Sequence, residues 1–559
     1  MRSDTTEPAR LRGRRPIWTG ITLGVVAVII APIVLVGLGA FSPSLDVWSQ
    51  LWSGPLPEML STTGVLLVLV GVGTLILGTG LAWLTTANEF PGRRIFTWAL
   101  MLPLAMPAYI LGFVFLAVLD FAGPVQTALR SWFGPEVWFP DVSSTVGVAI
   151  VMSLSLYPYV YILARAALRE QTPATYESAR MLGDNRMAAL RRVVLPMARP
   201  SLAAGMVLVM METLTDFATV QYFNVQTVSV GIYQVWRGMF DRETAVELAA
   251  LVLFIALFII GLERLLRGPA RFHQRGAPRD IERVPLRGWK AAVAVSICGS
   301  VLSAAIIVPL VQLLYWLWTS PAVVTDMTRA FEFLSNSLGM AVAAAFGCVF
   351  FAMLAAGGAR FSGSPLVRRA AHLVTVGYAV PGPVVAIGVL VMIGWVSGVA
   401  GSNPAGIVLL SLTGLVYAYI VRFMALGYGS VDASMEKITP STVDAAHTLG
   451  AGPPRVMKQI YFPMAGAGAA AGAVLVAIDV LKELPIVLLI RPFGFTTASV
   501  WVWELASESR WAAAAVPALL IVLTAMIPIA IYLGRERRKP GSAVALGARV
   551  VTRVEAGVE

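Results

Sequence analysis

Thr172-Pro173-Ala174-Thr175-Tyr176-Glu177-Ser178-Ala179-Arg180-Met181-Leu182-Gly183 and Thr439-Pro440-Ser441-Thr442-Val443-Asp444-Ala445-Ala446-His447-Thr448-Leu449-Gly450 are two copies of one polar stretch. The first runs on to Leu195-Pro196 and the second to Phe462-Pro463, and 444−177, 450−183 and 463−196 all equal 267. Each copy carries its own boundaries. Thr172 and Thr439 can N-cap a helix, Pro173 and Pro440 suit its first position, and Gly183 and Gly450 suit a left-handed residue after its end. The pattern predicts a short helix, a glycine turn and a second short helix ending near proline.

The surroundings of these polar islands set the fold class. Apolar residues make up 57% of the chain and charged residues 13%, with a mean hydropathy of +0.77, which places it among membrane proteins. Hydrocarbon leaves a backbone no water to bond, and apolar runs near twenty residues satisfy that constraint as helices. Runs at about 17–41, 60–86, 96–119, 144–168, 200–221, 244–262, 288–318, 333–358, 370–397, 404–428, 464–490 and 511–534 predict an all-α polytopic protein of about 12 transmembrane helices. Cys298 and Cys348 lie inside such runs and read as packing residues.

The net charge of +11 follows the alternation of loops. Arg93 and Arg94, Arg165 through Arg199, Arg264 through Arg287, Arg360 through Arg369, Arg422 through Lys458 and Arg535 through Lys539 fall on one side, whereas Ser42 to Glu58 has no Lys or Arg. Positive residues collect on the cytoplasmic side, so both termini and both polar stretches are expected there. The charge is then a topology signal facing membrane lipid, and nucleic acid is not an expected partner. The basic segment near the middle separates two six-span halves, which must enter the membrane in the same direction. Further landmarks repeat: Leu60-Ser61-Thr62-Thr63 with Leu334-Ser335-Asn336-Ser337 and Pro107 with Pro381 at 274, and Tyr157-Pro158-Tyr159 with Tyr417-Ala418-Tyr419 at 260.

Glu177-Ser178-Ala179 followed by Gly183, and Asp444-Ala445-Ala446 followed by Gly450, resemble the cytoplasmic EAA loop of ABC importer permeases with the type I fold. The resemblance implies two parallel six-helix halves in the inner membrane and a coupling helix in each loop that docks on an ATPase subunit. It assigns ATPase coupling to Glu177, Ala179, Gly183, Asp444, Ala446 and Gly450, with the carboxylates docking, the alanines permitting close approach and the glycines turning. It further implies two copies of an ABC ATPase as partners. The second copy departs by carrying Asp444 and His447 where the first has Glu177 and Arg180, so the two ATPase interfaces are expected to be unequal. The corresponding division is a cytoplasmic tail (1–16), an extra first transmembrane helix (17–41), a first type I domain (57–263), a cytoplasmic linker (264–287), an extra transmembrane helix (288–318), a second domain (331–534) and a cytoplasmic C-terminal tail (535–559).

Nucleotide hydrolysis would need a glycine-rich loop ending in Gly-Lys-Ser/Thr, and none of Lys290, Lys437, Lys458, Lys482 and Lys539 follows a glycine. No catalytic residue, cofactor or resting metal site is expected, and the energy must arrive from another polypeptide. The cargo reading rests on charge at membrane depth. Glu212 and Asp216, and Asp479 and Glu483, form two i, i+4 pairs related by 267, each charge costing about 2.5–3.5 kcal/mol on insertion scales. They are translocation-path candidates. The alternative is that they hold helices together, with Lys482 pairing Asp479. Tyr157, Tyr159, Tyr417 and Tyr419 read as core packing, and His273, His372 and His447 are given no ligand role.

Glu212-Thr213-Leu214-Thr215-Asp216-Phe217-Ala218-Thr219-Val220-Gln221-Tyr222-Phe223, together with Lys482-Glu483-Leu484-Pro485 and Arg491-Pro492-Phe493, is similar to fused ferric-iron importer permeases. That similarity implies ferric iron as cargo and a periplasmic ferric-iron binding protein as partner. Ile486-Val487, Trp501 and Trp503 depart from that pattern. Thiamine, polyamine or phosphonate import by the same machine stays open, as does a twelve-helix secondary carrier.

Overall fold

The computed structural model describes residues 15–41, 45–170, 173–239, 241–267, 283–320, 327–400 and 404–538. Thr172, His273, the middle of the basic linker and both chain ends lie outside the described residues. Among the described residues ten helices are long and apolar enough to cross a membrane, eleven if the bent pair Pro365–Ala379 and Gly382–Gly398 counts as one span, and Trp511–Ile527 is a shorter apolar helix. The all-helical reading of about twelve spans therefore stands, but several expected spans are not continuous. The run expected at 96–119 is divided into Arg93–Ala99, the 3-10 turn Leu102–Ala105 and Ala108–Leu119, with Pro103 and Pro107 at the joints. The pair around Pro381 bends by 109°. Proline removes a backbone donor and clashes with the preceding turn, so both breaks sit where the apolar pattern ran on but the backbone could not.

Two compact units emerge, each joining segments distant in sequence. One contains Asn336–Phe495 together with the N-terminal helix Arg15–Gly39. There Trp18 packs on Phe361 with ring centroids 5.4 Å apart, and the Tyr417 hydroxyl donates to the Val28 carbonyl. The other contains the helices from Leu45 to Ser335 together with Ala498–Ser507 and Trp511–Arg538. In it Phe113 lies between Trp316 and Trp511, at 6.2 and 6.3 Å, with both ring pairs stacked. Cys298 sits in the core of this unit beside Tyr157 and Tyr161, and Cys348 is fully buried in the first unit. After the linker, Val284–Pro285 pairs in parallel with Asn88–Glu89, and the Leu286 N–H donates to the Glu89 carbonyl at 2.8 Å.

The internal repeat is closer than the sequence suggested at one place. Gly205 approaches the Val160 Cα, which would lie 3.1 Å from an added methyl, and Gly472 approaches the Gly427 Cα at 3.3 Å. Since 472−205 and 427−160 both equal 267, the fourth expected helix and its counterpart share that offset. The tyrosine match at 260 was a slip of seven residues. Seven residues are about two helical turns, so the slipped pairing keeps the same helix face and leaves the apolar pattern unchanged. In the true register Tyr161 corresponds to Tyr428. Tyr157 and Tyr419 are buried core residues, the first donating to the Leu100 carbonyl at 3.0 Å.

Candidate functional site

The two polar stretches fold alike. The helices are Pro173–Met181 and Pro440–Thr448, and each is followed by a glycine with positive φ, 96° at Gly183 and 80° at Gly450. The Asp184 N–H donates to the Ala179 carbonyl at 3.1 Å, and the Ala451 N–H to the Ala446 carbonyl at 2.9 Å. These six-residue closures are Schellman turns, which need a residue without a Cβ penalty at the left-handed position. Both stretches then continue into π turns, Leu190–Val194 and Met457–Tyr461, again 267 apart.

Side chains reinforce the turn in matching ways. Arg180 Nη1 donates to the Asp184 carbonyl at 2.7 Å, and His447 Nδ1 lies 2.9 Å from the Ala451 carbonyl. A carbonyl only accepts, so Nδ1 carries the proton, and His447 does the work of Arg180 although its chemistry differs. An Asp184–Arg192 ion pair at 3.0 Å adds a brace in the first copy, where Ala451 and Gln459 stand at the equivalent positions of the second. With Arg192 largely exposed, that brace contributes about 0–1 kcal/mol. Thr439 occupies the N-cap position, yet its hydroxyl bonds the Ser441 and Thr442 hydroxyls at 2.9 and 3.0 Å and not a backbone N–H. Two neighbouring hydroxyls compete for it, which the expected side-chain cap did not allow for.

The faces of these helices divide their residues. Tyr176 and Ala179 are buried against the unit's own core, with Tyr176 edge-on to Trp83 at 5.8 Å. The close approach at Ala179 is thus to the bundle itself. Ala446 is half-buried, Glu177 half-buried and Asp444 exposed. Leu182 and Leu449, equivalent residues immediately before the turn glycines, are 89% and 87% exposed. Their placement was missed; the signal available was an apolar residue at the same step of two otherwise polar loops.

The four acidic candidates lie at a second pair of equivalent features. Leu195–Thr215 is followed by the short helix Ala218–Tyr222, and Phe462–Lys482 by Pro485–Ile490. The spans expected at 200–221 and 464–490 are therefore broken at Asp216 and Glu483. Asp216 Oδ1 accepts from the Thr219 and Val220 N–H groups at 2.9 and 3.3 Å, and its Oδ2 accepts from the Thr219 hydroxyl at 2.7 Å. Both Glu483 carboxylate oxygens lie 3.1 Å from the Ile486 N–H. A carboxylate suits the orphan donors and positive dipole end of a helix N-terminus, which gives these charges a partner at depth. Glu212 and Asp479 sit one turn earlier, both half-buried, and Lys482 Nζ pairs with Asp479 at 2.8 Å. Among the described residues no three His, Cys, Asp or Glu side chains are grouped as metal ligands would be.

Arg422 is a correction to the charge map. It lies inside the helix Pro404–Met435, buried, and its guanidinium donates to the Val380 carbonyl at the break before Pro381. In the other unit Ser155 donates to the Met106 carbonyl before Pro107 at 2.9 Å, so a hydroxyl and a guanidinium serve equivalent breaks. Arg360, by contrast, pairs with buried Asp432 at 2.6 Å and also donates to its carbonyl at 3.1 Å, fixing the helix that leads into the second polar loop.

The family model described as the binding-protein-dependent transport system inner membrane component matches residues 74–267. The Fe(3+)-transport system permease protein FbpB 2 of Haemophilus influenzae is 26% identical over 525 residues, 92% of this chain and 98% of the relative. Over residues 74–267 the chain matches a family of importer permeases, and over nearly its whole length it is similar to one such permease. This permease is a multi-pass protein of the inner membrane, and the doubled loops and doubled breaks are the marks of its two repeated halves. Shorter relatives match part of it. The sulfate transport system permease protein CysT of Salmonella typhimurium is 26% identical over 43% of the permease and 89% of its own length. The molybdenum transport system permease protein ModB of Escherichia coli is 26% identical over 33% of the permease and 81% of its own length.

Proposed function

We propose that the permease is the gate of an ATP-driven ferric-iron importer, moved through two handles on its cytoplasmic face. The observation that carries this is the pair of exposed leucines, Leu182 and Leu449, each held on a short helix by a Schellman turn at the same step of the repeat. Exposed leucines on rigid polar levers are apt knobs for a groove on a soluble partner. Two copies of an ATPase would each take one lever, with Glu177 and Asp444 as flanking charges, Ala179 and Ala446 supplying the carbonyls that close the turns, and Gly183 and Gly450 permitting them. Because Tyr176 and Ala179 are keyed into the bundle, a push on the first lever passes directly to the core beneath it. The termini are then cytoplasmic, and a periplasmic binding protein delivers the cargo at the opposite face.

Support for iron comes from the relative that spans nearly the whole permease, FbpB 2, against part-length matches to sulfate and molybdenum permeases. Glu212 supplies negative charge along the route and Asp479 is held by Lys482, while Asp216 and Glu483 shape the route by capping the half-helices after each break. Hard oxygen groups suit a hard cation, and carboxylates already bonded to backbone donors would not trap it. The experiment is ATP-dependent uptake of 55Fe(III) by the permease reconstituted with its ATPase and loaded binding protein. Uptake that needs ATP and both partners supports the reading; a flux of another ion or molecule in place of iron refutes the cargo, and a flux without the ATPase refutes the machine.

A further inference from the structure

The structure gives Trp503 a partner far away in the sequence. Its indole N–H donates to Gln221 Oε1 at 3.0 Å, and its ring packs on Phe217 and Tyr233 with centroids 5.8 and 5.9 Å away. Phe217 and Tyr233 are themselves 4.5 Å apart, so three rings form one platform within a single unit. Gln221 lies on the half-helix Ala218–Tyr222 that Asp216 caps.

An indole N–H can only donate, so the amide oxygen of Gln221 must face Trp503 and the amide nitrogen must point elsewhere. Gln221 is half-buried, and the bond its side chain makes is the one its oxygen accepts from Trp503. The repeat makes this feature single. Trp236 is the equivalent of Trp503, but Leu488 stands where Gln221 would recur, so only one half carries the amide.

We propose that Gln221 is a cargo-contacting residue and Trp503 its positioning residue, together offering a fixed pair of N–H donors to an oxygen acceptor carried by the cargo. This rests on the import reading given above. Metal-bound water is a strong donor and a poor acceptor, because its lone pair is committed to the metal. The amide therefore selects iron that retains an anionic oxygen ligand, such as a carboxylate, over the fully hydrated ion. Asp216 fits this division of labour, since its oxygens are taken up by the Thr219 and Val220 donors and it fixes the half-helix on which Gln221 rides.

The test uses the permease with its ATPase and binding protein in proteoliposomes, with 55Fe(III) supplied as the citrate complex. Trp503→Phe keeps an aromatic ring on Phe217 and Tyr233 but deletes the donor. Gln221→Leu deletes the amide. Each single variant is expected to raise the half-saturating concentration by roughly fivefold, the size of one lost hydrogen bond, at unchanged maximal rate. Trp503→Phe in the Gln221→Leu background is expected to add nothing, because the indole acts through the amide. Additive effects, an unchanged half-saturating concentration, or a fall in maximal rate alone would each overturn the assignment. Absence of iron uptake by the unsubstituted complex would overturn the import reading along with it, which separates the two failures.

Discussion

Replacing Leu182 and Leu449 with alanine isolates the proposed docking knobs from everything that holds the permease together. Both side chains are almost fully exposed, at 89% and 87%, so little packing is lost in the free protein. Surface changes of this kind are usually within about 0.5 kcal/mol of neutral. If each leucine is buried in a groove of the ATPase, truncation removes about 2 kcal/mol of apolar burial per interface. At 1.4 kcal/mol per tenfold, each single variant should weaken ATPase binding at its own site by about thirtyfold. The assay is titration of labelled ATPase onto detergent-solubilised permease, with thermal unfolding of the permease measured alongside. The expected result is a large loss of affinity at an unchanged melting temperature, and a double variant that no longer stimulates the ATPase. Full retention of affinity by the double variant would refute the reasoning, because no other equivalent pair of exposed apolar residues flanks the two turns among the described residues.

Other outcomes follow from the same geometry. Gly183→Ala and Gly450→Ala place a Cβ at φ of 96° and 80°, and each should cost about 1 kcal/mol locally and reduce coupling of ATP hydrolysis to transport, read as ions moved per ATP. Asp216→Asn keeps an N-cap acceptor while Asp216→Ala does not, so only the alanine variant should lose about 1 kcal/mol in unfolding measurements. Glu212→Gln should lower iron uptake while ATPase association persists; unchanged uptake would remove this charge from the route. Breaking the Arg360–Asp432 pair by Asp432→Ala should destabilise by about 3–5 kcal/mol, and Arg360→Met with Asp432→Leu should recover much of it.

The helical class and the doubled levers were legible because both rest on local chemistry. Lipid enforces helices wherever apolar runs are long, and Thr-Pro at one end with Gly at the other delimits a short helix in any context. The breaks at Asp216 and Glu483 were not legible, because a period of 3.6 carries through a break when the half-helices keep an apolar composition. Only Pro485 hinted at one of them. Arg422 was misplaced for a related reason: a buried guanidinium at depth is rare, so its charge was read with the loop arginines, whereas the Val380 carbonyl freed before Pro381 needs a donor. The slip at the tyrosines shows the limit of matching motifs on helices, where a seven-residue shift preserves the face. The exchange of first helices, Arg15–Gly39 joining the unit of Asn336–Phe495 and Trp289–Leu302 joining the other, depends on tertiary contacts that no local pattern encodes.

The most direct test of the central claim is 55Fe(III) accumulation in proteoliposomes holding the permease, measured with and without the ATPase while the loaded binding protein and ATP are present throughout. The account predicts accumulation only with the ATPase, and its loss when Leu182 and Leu449 are both alanine. Accumulation by the permease alone, or full accumulation by the doubly substituted protein, would contradict it.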